Sequence, residues 1–232
     1  MAAPRKALVV IPARDEQDDI TRVIREIHAA CGLDVVVVDD ASGDATIARA
    51  RAAGAFVIPL SLQLGAWGAI QTGIRYALRA GYDCVLTMDA DGQHEAVWID
   101  AILAPVVSGR ADVAIGCCLQ RGSRMRKIAW RLMKAVSDLR LEDLTSGFRV
   151  YNRAAMELLA SREATLLEYQ DVGVLALMRG HGLEIEDVEV TMLPRRSGAS
   201  RVYYSWFAVF YYMCHTLLLG FSKRGRRLGG KP

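Results

Sequence analysis

The residues best suited to chemistry lie in one short segment, residues 85–94, with the sequence VLTMDADGQH. An apolar run, which predicts a buried strand, ends at two carboxylates spaced i, i+2, Asp89 and Asp91. An amide and an imidazole follow at Gln93 and His94, and His94 suits a ligand neighbour or a substrate contact. Hard divalent ions such as Mg²⁺ and Mn²⁺ prefer carboxylate oxygens and leave positions open for substrate phosphates. The segment therefore indicates a divalent metal site.

A second acidic strand end strengthens this interpretation, since turns alone are rich in Asp. Residues 35–44, VVVVDDASGD, form an apolar run that ends at Asp39 and Asp40, which could accept hydrogen bonds from a base or ribose. Asp44 fits helix capping better. Two apolar strands that both end in acidic residues are typical of a nucleotide site at the carboxyl edge of a sheet.

Two turns could line the same pocket. Residues 11–16, IPARDE, follow the first predicted strand and contain Pro12, Arg14 and Glu16. Residues 65–69, GAWGA, offer small side chains, Gly68 among them, where a ligand could approach the backbone. A plain structural turn explains either segment equally well.

Basic residues follow the fifth predicted strand and recur in two later segments. A charged, solvated helix face is the usual interpretation of such a run, and a clamp for a diphosphate or an anionic lipid is the alternative. Segments 145–149, TSGFR, and 195–201, RRSGASR, add further guanidinium and hydroxyl groups. The basic run consists of Arg121, Arg124, Arg126, Lys127 and Arg131.

The elements that must position these residues alternate between strands and helices. This βαβα rhythm, with apolar strands, predicts an α/β fold with a mostly parallel sheet covered by helices on both faces. The predicted strands are residues 7–13, 34–39, 55–59, 84–89, 113–116, 145–152 and 183–193. The predicted helices are residues 18–30, 45–53, 66–80, 97–108, 125–138 and 171–180.

Composition and charge narrow the class of protein. Hydrophobic residues make up 52% and charged residues 24%, which indicates a globular chain. The net charge is +3, but five basic residues and no acid lie among the last eleven residues, so the remainder is mildly acidic. This distribution argues against a nucleic-acid-binding protein and favours a tail that meets an anionic surface.

Residues 203–221 are nearly all apolar. A helix of this length would reach roughly 28 Å, marginally enough to cross a bilayer. One crossing would separate the basic tail, which favours the cytosolic side, from a domain whose predicted nucleotide site also requires that side. We therefore expect a helix in the membrane interface on the cytoplasmic side, peripheral or monotopic, with burial in a homo-oligomer as the alternative.

Five ordered motifs give the chain a family resemblance. PARDE, VVDDASGD, MDADGQH, TSGFRVY and RRSGASR, within residues 8–201, resemble those of family 2 glycosyltransferases, and most closely the dolichol-phosphate mannose synthase branch. The resemblance implies a GT-A (Rossmann-like) fold and an inverting mechanism. It also implies a nucleotide-diphosphate sugar donor (GDP- or UDP-sugar), a Mg²⁺ or Mn²⁺ cofactor and a polyprenyl phosphate acceptor.

The same resemblance implies a role for individual residues. Those expected to bind the nucleotide sugar are Pro12, Arg14, Glu16, Asp39, Asp40, Gly68, Asp89 and Ala90. Those expected to hold the metal are Asp89, Asp91 and Gln93. Those expected to contact the acceptor phosphate are Arg121, Arg124, Arg131, Arg196, Ser200 and Arg201. The catalytic candidates are Asp91, Asp171 and Arg149.

Two positions and one segment depart from the family pattern. Asp15 stands where the family commonly has Asn, and Arg201 where it commonly has Lys. Residues 168–171, EYQD, only partly fit the acidic segment before the last helix. Asp171 is favoured there over Glu168 because it begins a predicted helix that faces the basic loops.

The resulting hypothesis has a catalytic domain at residues 1–201 and an interfacial helix with a basic tail at residues 202–232. Three alternatives stay open. The first is a family 2 enzyme with a saccharide or other hydroxyl acceptor. The second is a nucleotidyltransferase, although residues 11–18 lack a Gly-rich phosphate loop with a Lys. The third is a non-catalytic nucleotide-sugar-binding protein.

Overall fold

The structure is a computed structural model, and it describes residues 6–118, 146–167 and 172–193. Strands and helices alternate along the chain, as the sequence predicts. The strands are β1 (Ala7–Ala13), β2 (Asp34–Asp39), β3 (Phe56–Pro59), β4 (Cys84–Thr87), β5 (Val113–Cys117), β6 (Arg149–Asn152) and β7 (Ile185–Glu189). The helices are α1 (Ile20–Cys31), α2 (Thr46–Ala52), α3 (Gly65–Arg79), α4 (Ile99–Val107), α5 (Arg153–Leu159), α6 (Arg162–Thr165) and α7 (Val172–Gly180).

The seven described strands form one sheet in the order β3-β2-β1-β4-β6-β5-β7. Every neighbouring pair is parallel except the two that involve β6, which runs antiparallel to β4 and β5. The predicted α/β class with a mostly parallel sheet is therefore confirmed. Because β6 is reversed, its first residue, Arg149, pairs with Thr87 at the end of β4. The amino end of β6 thus shares an edge with the carboxyl ends of the parallel strands.

Alternate residues of the strands enter two cores, one on each face of the sheet. Val9 and Ile11 of β1 belong to the core that includes α1 and α4. Leu8 and Val10 belong to the opposite core, which includes α3, α5 and α7. Side chains of a strand alternate between faces, so an apolar strand buried on both sides requires two helical layers.

Several predicted elements are shorter in the structure. β4 ends at Thr87 and not at residue 89, so Asp89 lies beyond the sheet ladder. β6 begins at Arg149 and not at residue 145, and β7 covers only the middle of predicted strand 183–193. The sequence prediction also missed α5 and α6, of seven and four residues, which are too short to show helical periodicity.

Some predicted elements lie outside the described residues. They are helix 125–138, the first residue of predicted strand 145–152 and the apolar segment 203–221. In the part of the chain that is described, no helix combines the length and the apolar character that a membrane span requires.

Candidate active site

The acid loop, residues 88–95, leaves the carboxyl end of β4 and turns back on itself. The backbone N–H of Asp89 donates to Nδ1 of His94 (3.2 Å), and Oδ1 of Asp91 accepts from the backbone N–H of Gln93 (3.1 Å). Ala90 and His94 are buried, whereas the Asp89 side chain is 47% exposed. The loop therefore holds its backbone inward and presents a carboxylate to the solvent at the edge of the sheet.

The segment before β6 lies directly against this carboxylate. A Cβ atom added to Gly147 would stand 2.6 Å from Oδ1 of Asp89 and 2.9 Å from Oδ2, so only glycine allows this approach. The hydroxyl of Thr87 fixes the contact by donating to the Gly147 carbonyl (2.7 Å). Two motifs about 58 residues apart in sequence thus meet at one point, as the antiparallel pairing of β4 with β6 requires.

A buried aromatic contact also joins the acid loop to the segment before β6. The imidazole of His94 stacks on the ring of Phe148, with centroids 5.1 Å apart and planes 18° from parallel. Both side chains are almost completely buried. The hydrogen bond that Nδ1 of His94 accepts from the backbone of Asp89 fixes the orientation of this ring. This histidine is a neighbour of the predicted metal ligands, which is one of the two roles expected for it.

Arg22 of α1 contacts the acid loop and was missed by the sequence prediction. A Cβ on Gly92, whose φ is +69°, would overlap the Arg22 guanidinium, which therefore lies on the loop backbone. Hydrogen bonds from Arg22 to Asp19 (2.8 Å) and Glu26 (3.0 Å) hold it there. The hydrogen bond to Asp19 and the attraction of Glu26 outweigh burial and raise the pKa of Arg22. The sequence shows only that Arg22 lies three residues after Asp19 and four before Glu26, a spacing that allows ion pairs along one face of a helix.

The two aspartates after β2 differ in environment. Asp40 accepts hydrogen bonds from the backbone N–H groups of Leu64 (2.6 Å) and Gly65 (3.0 Å), and so it holds the start of α3. Asp39 accepts from Ser42 through Oδ2 (3.0 Å). Its Oδ1 is buried and has no hydrogen-bond partner among the described residues. Of the two, Asp39 is therefore the one left with an acceptor for a ligand.

The turn after β1 interlocks with the turn after β2. Asp15 has a positive φ of 48° and its Oδ1 accepts from the backbone N–H of Gly43 (2.8 Å). Asn and Asp both tolerate this conformation and both supply the acceptor, which explains the departure from the family pattern. The backbone N–H of Glu16 donates to the hydroxyl of Thr46 (2.8 Å).

Asp44 ties the same two turns together, but the N-cap position of α2 is held by Ala45 and not by Asp44 as the sequence predicts. Its carboxylate accepts from the backbone N–H groups of Thr46 (2.9 Å) and Gln17 (3.3 Å). Burial raises the pKa of Asp44, but the hydrogen bonds from Thr46 and Gln17 outweigh burial and the pKa is lowered.

The other predicted nucleotide residues surround this turn. Pro12 pairs with Val38 near the end of β1, and Arg14 follows β1, its Nε 3.8 Å from Oδ2 of Asp15. Gly68 lies in the first turn of α3, where its carbonyl accepts from the Thr72 hydroxyl (2.8 Å).

Arg149 reaches the predicted edge but is enclosed. Its side chain is completely buried, and Nε donates to the carbonyl of Ser146 (2.7 Å). The guanidinium thus shapes the turn that carries Gly147. The remaining predicted phosphate residues, Arg121, Arg124, Arg131, Arg196, Ser200 and Arg201, and the catalytic candidate Asp171, lie outside the described residues.

The predicted metal ligands fit a hard divalent cation by chemistry. Asp89 and Asp91 contribute carboxylates, and the Gln93 side chain is anchored by a hydrogen bond from Nε2 to the Leu193 carbonyl (3.2 Å). The described residues contain no cluster of three or more His, Cys, Asp or Glu side chains suited to a metal. A cation at Asp89 and Asp91 would have coordination positions open for oxygen atoms of a bound substrate, as Mg²⁺ commonly has.

Comparison with known proteins agrees with this geometry. The model of the family described as Glycosyl transferase family 2 matches residues 8–163. Polyprenol monophosphomannose synthase of Mycolicibacterium smegmatis is 26% identical over 85% of this chain and 81% of its own length. Undecaprenyl-phosphate mannosyltransferase of Micrococcus luteus is 29% identical over 85% and 87% respectively.

Solved structures support the fold. Glucosyl-3-phosphoglycerate synthase of Mycobacterium tuberculosis, crystallised with Mn²⁺, UDP-glucose and phosphoglyceric acid, aligns with a TM-score of 0.73 at 21% identity. The alignment covers 95% of this chain and 79% of that one. With the four family motifs of the described residues at the carboxyl edge of a GT-A-like sheet, the chain belongs to glycosyltransferase family 2, is a glycosyltransferase, and matches the dolichol-phosphate mannose synthase branch.

Proposed function

We propose that this glycosyltransferase moves one sugar from a nucleotide-diphosphate donor to a polyprenyl phosphate, with inversion at the anomeric carbon. The observation that carries the proposal is the contact between the acid loop and the turn before β6, where Gly147 lies against the carboxylate of Asp89. The names of the relatives above, a polyprenol monophosphomannose synthase and an undecaprenyl-phosphate mannosyltransferase, support the choice of acceptor.

The donor is proposed to lie across the carboxyl ends of β2, β1 and β4. Oδ1 of Asp39 is a buried acceptor suited to an N–H or O–H of the nucleoside. Asp89, Asp91 and Gln93 would hold Mg²⁺ or Mn²⁺ against the diphosphate. When bound, the cation supplies positive charge that stabilises the leaving diphosphate. The Mn²⁺ and UDP-glucose in the structurally similar synthase support this arrangement.

The acceptor is proposed to react without a general base. A polyprenyl phosphate oxygen is already anionic, so it can attack the anomeric carbon as the bond to the diphosphate breaks. What the enzyme must supply is positive charge that holds two anionic substrates together. The basic residues at 121, 124, 131, 196 and 201 are the candidates for this role, whereas the enclosed Arg149 would act by holding the turn that carries Gly147.

We propose that the enzyme works on the cytoplasmic side of a membrane, where its lipid acceptor resides. The apolar residues 203–221 and the basic residues that follow would hold it in the interface. Deleting residues 203–232 should then move the protein from the membrane fraction to the soluble fraction. Unchanged fractionation would refute this part of the proposal.

A donor screen tests the reaction itself. Purified enzyme is incubated with Mg²⁺ or Mn²⁺, a panel of GDP- and UDP-sugars and a polyprenyl phosphate, and lipid-linked sugar is measured. One donor should give metal-dependent product. Transfer only to hydroxyl acceptors would favour the alternative family 2 reaction, and turnover unaffected by chelation would refute the metal.

A further inference from the structure

A turn of three residues carries two of the three predicted metal ligands. Asp91 and Gln93 flank Gly92, and the hydrogen bond from the Gln93 N–H to Oδ1 of Asp91 (3.1 Å) closes the turn. Gly92 itself is buried and has a φ of +69°. We call residues 91–93 the ligand turn. Its backbone lies between the two ligands, so a side chain that packs on Gly92 bears on the position of both.

The guanidinium of Arg22 is the group that packs there. A Cβ added to Gly92 would overlap Nη2 of Arg22 and stand 2.8 Å from its Cζ. Among the described residues, the three heavy atoms nearest to this point all belong to the Arg22 guanidinium. The ligand turn therefore rests on one side chain of α1, a helix about 70 residues earlier in the sequence.

Two carboxylates of α1 hold this guanidinium in place. Nη2 donates to Oδ1 of Asp19 (2.8 Å), and Nη1 donates to Oε1 of Glu26 (3.0 Å). Asp19 occupies the N-cap position, where an aspartate ordinarily accepts from an N–H of the first helical turn, but its side chain makes no such bond. That side chain is only 10% exposed. A nearly buried carboxylate thus pairs with Arg22 and does not cap its own helix.

Asp19 also connects Arg22 to the turn after β1. The backbone N–H groups of Asp19 and Ile20 donate to the carbonyl of Glu16 (3.2 and 3.0 Å). Glu16 belongs to the turn that is expected to contact the nucleotide. Arg22 therefore lies between that turn and the ligand turn. A cation that bridges the protein to a diphosphate needs both at a fixed separation, because Mg²⁺ demands near-ideal geometry at ligand distances of about 2.0–2.1 Å.

We propose that Arg22, held by Asp19 and Glu26, is a positioning residue for the divalent cation and sets the ligand turn against the turn after β1. The inference rests on the proposed function, since it takes Asp91 and Gln93 to hold the metal. Two carboxylates outweigh the charge of one guanidinium, so the cluster does not repel a cation bound nearby. Arg22 acts by its shape and its two hydrogen-bonded partners.

Arg22→Met tests the inference, because it keeps much of the length of the side chain and removes the guanidinium. The affinity for Mn²⁺ alone, measured from the electron paramagnetic resonance signal of free Mn²⁺, should fall about tenfold. At saturating Mn²⁺ the value of kcat should return to near that of the wild type. Arg22→Lys keeps the charge but cannot pair with both carboxylates in the geometry of a fork, so it should lose less affinity. Tighter Mn²⁺ binding by Arg22→Met would show that the guanidinium only repels the cation, and would overturn the inference.

Arg25→Met is the matched control, an exposed arginine of the same helix. It should bind Mn²⁺ as the wild type does. An equal loss in both variants would assign the effect to the charge of α1 and overturn the inference. Glu26→Gln is the milder change, since it removes one of the two partners at a side chain that is 43% exposed. It should lower Mn²⁺ affinity about threefold without a change in melting temperature, and unchanged affinity would count against the proposal.

A double-mutant cycle shows whether Arg22 acts through Gly92. Gly92→Ala places a methyl group where the guanidinium lies and should lower Mn²⁺ affinity. In an Arg22→Ala background that methyl group has room, so the second loss should be smaller and the two losses should not add. Additive losses in folded proteins, or unchanged Mn²⁺ affinity in Arg22→Met, overturn the inference and leave the proposed function intact. A wild type that binds no Mn²⁺ and turns over equally fast under chelation overturns the metal site and the inference together.

Discussion

The backbone N–H of Asp89 donates to Nδ1 of His94, and this bond ties the backbone that carries the first carboxylate of the acid loop to a buried ring. The ring is held in turn by its stacking on Phe148. His94 can therefore position the Asp89 carboxylate without contacting the substrate.

Two substitutions separate the hydrogen bond of His94 from its stacking. His94→Phe keeps an aromatic ring against Phe148 but removes the acceptor for Asp89, so metal affinity and kcat/KM should fall about 10–100-fold. His94→Asn keeps an acceptor near the position of Nδ1 but loses the stacking, so it should retain more activity and unfold more easily. Metal titration and denaturant unfolding check this. His28→Asn, an exposed histidine of α1, is the control, and equal activity of both His94 variants would contradict the prediction.

Asp89→Ala and Asp91→Ala should each lower turnover by about 10²–10³-fold or more, because the leaving diphosphate loses its charge stabilisation. Steady-state rates with and without chelator measure this. Asp100→Asn, an exposed aspartate in the first turn of α4, should behave as the wild type. Folded alanine variants as active as the parent under chelation would remove the basis of the proposed mechanism.

Gly147→Ala should disturb the Asp89 carboxylate while the sheet remains intact. The added Cβ would stand 2.6 Å from Oδ1 of Asp89, so the carboxylate must move, and we expect a 10–100-fold loss of metal-dependent activity. Gly180→Ala is the matched control, since a Cβ there meets nothing within 4 Å. Circular dichroism confirms the fold, and normal activity of Gly147→Ala would show that Asp89 can shift without consequence.

Asp44 should contribute to stability in a pH-dependent way. Its pKa is lowered in the folded protein, so its contribution is present above the unfolded pKa and is lost as the pH falls through the folded value. Asp44→Asn should therefore unfold more easily than the wild type at pH 7, and the difference should shrink below about pH 4. Urea unfolding across this range measures it. A difference that grows in acid would contradict the assigned direction.

Asp171→Asn distinguishes the two classes of acceptor. A hydroxyl acceptor needs a carboxylate base within hydrogen-bond reach, and losing that base should lower kcat by several orders of magnitude. A phosphate acceptor needs no base, so the loss should be modest. Glu168→Gln, assayed in parallel, shows which of the two acids matters. A modest loss in both variants favours polyprenyl phosphate.

The sequence predicted the sheet well because its strands are apolar runs that alternate with helical patterns, and this signal is local. It also predicted that the acidic strand ends would meet at one edge, since parallel strands align their carboxyl ends. Contacts between distant segments were not predictable in this way. The contact of the Arg22 guanidinium with Gly92 and the hydrogen bonds of Thr191 with Glu95 and Trp98 depend on how loops pack. No pattern within these segments predicts such contacts. For Asp40 the sequence showed a carboxylate at a strand end. It did not show that this carboxylate accepts hydrogen bonds from the backbone N–H groups of Leu64 and Gly65.

The reversal of β6 has a consequence for how this enzyme could diversify. β5 leaves the sheet at Cys117 and β6 re-enters it at Arg149, and both points lie on the reactive edge. The two ends of the intervening stretch therefore lie at the same edge of the sheet. If its basic residues contact the acceptor as proposed, replacing residues 119–145 by those of a relative should change acceptor preference and leave the sheet as it is.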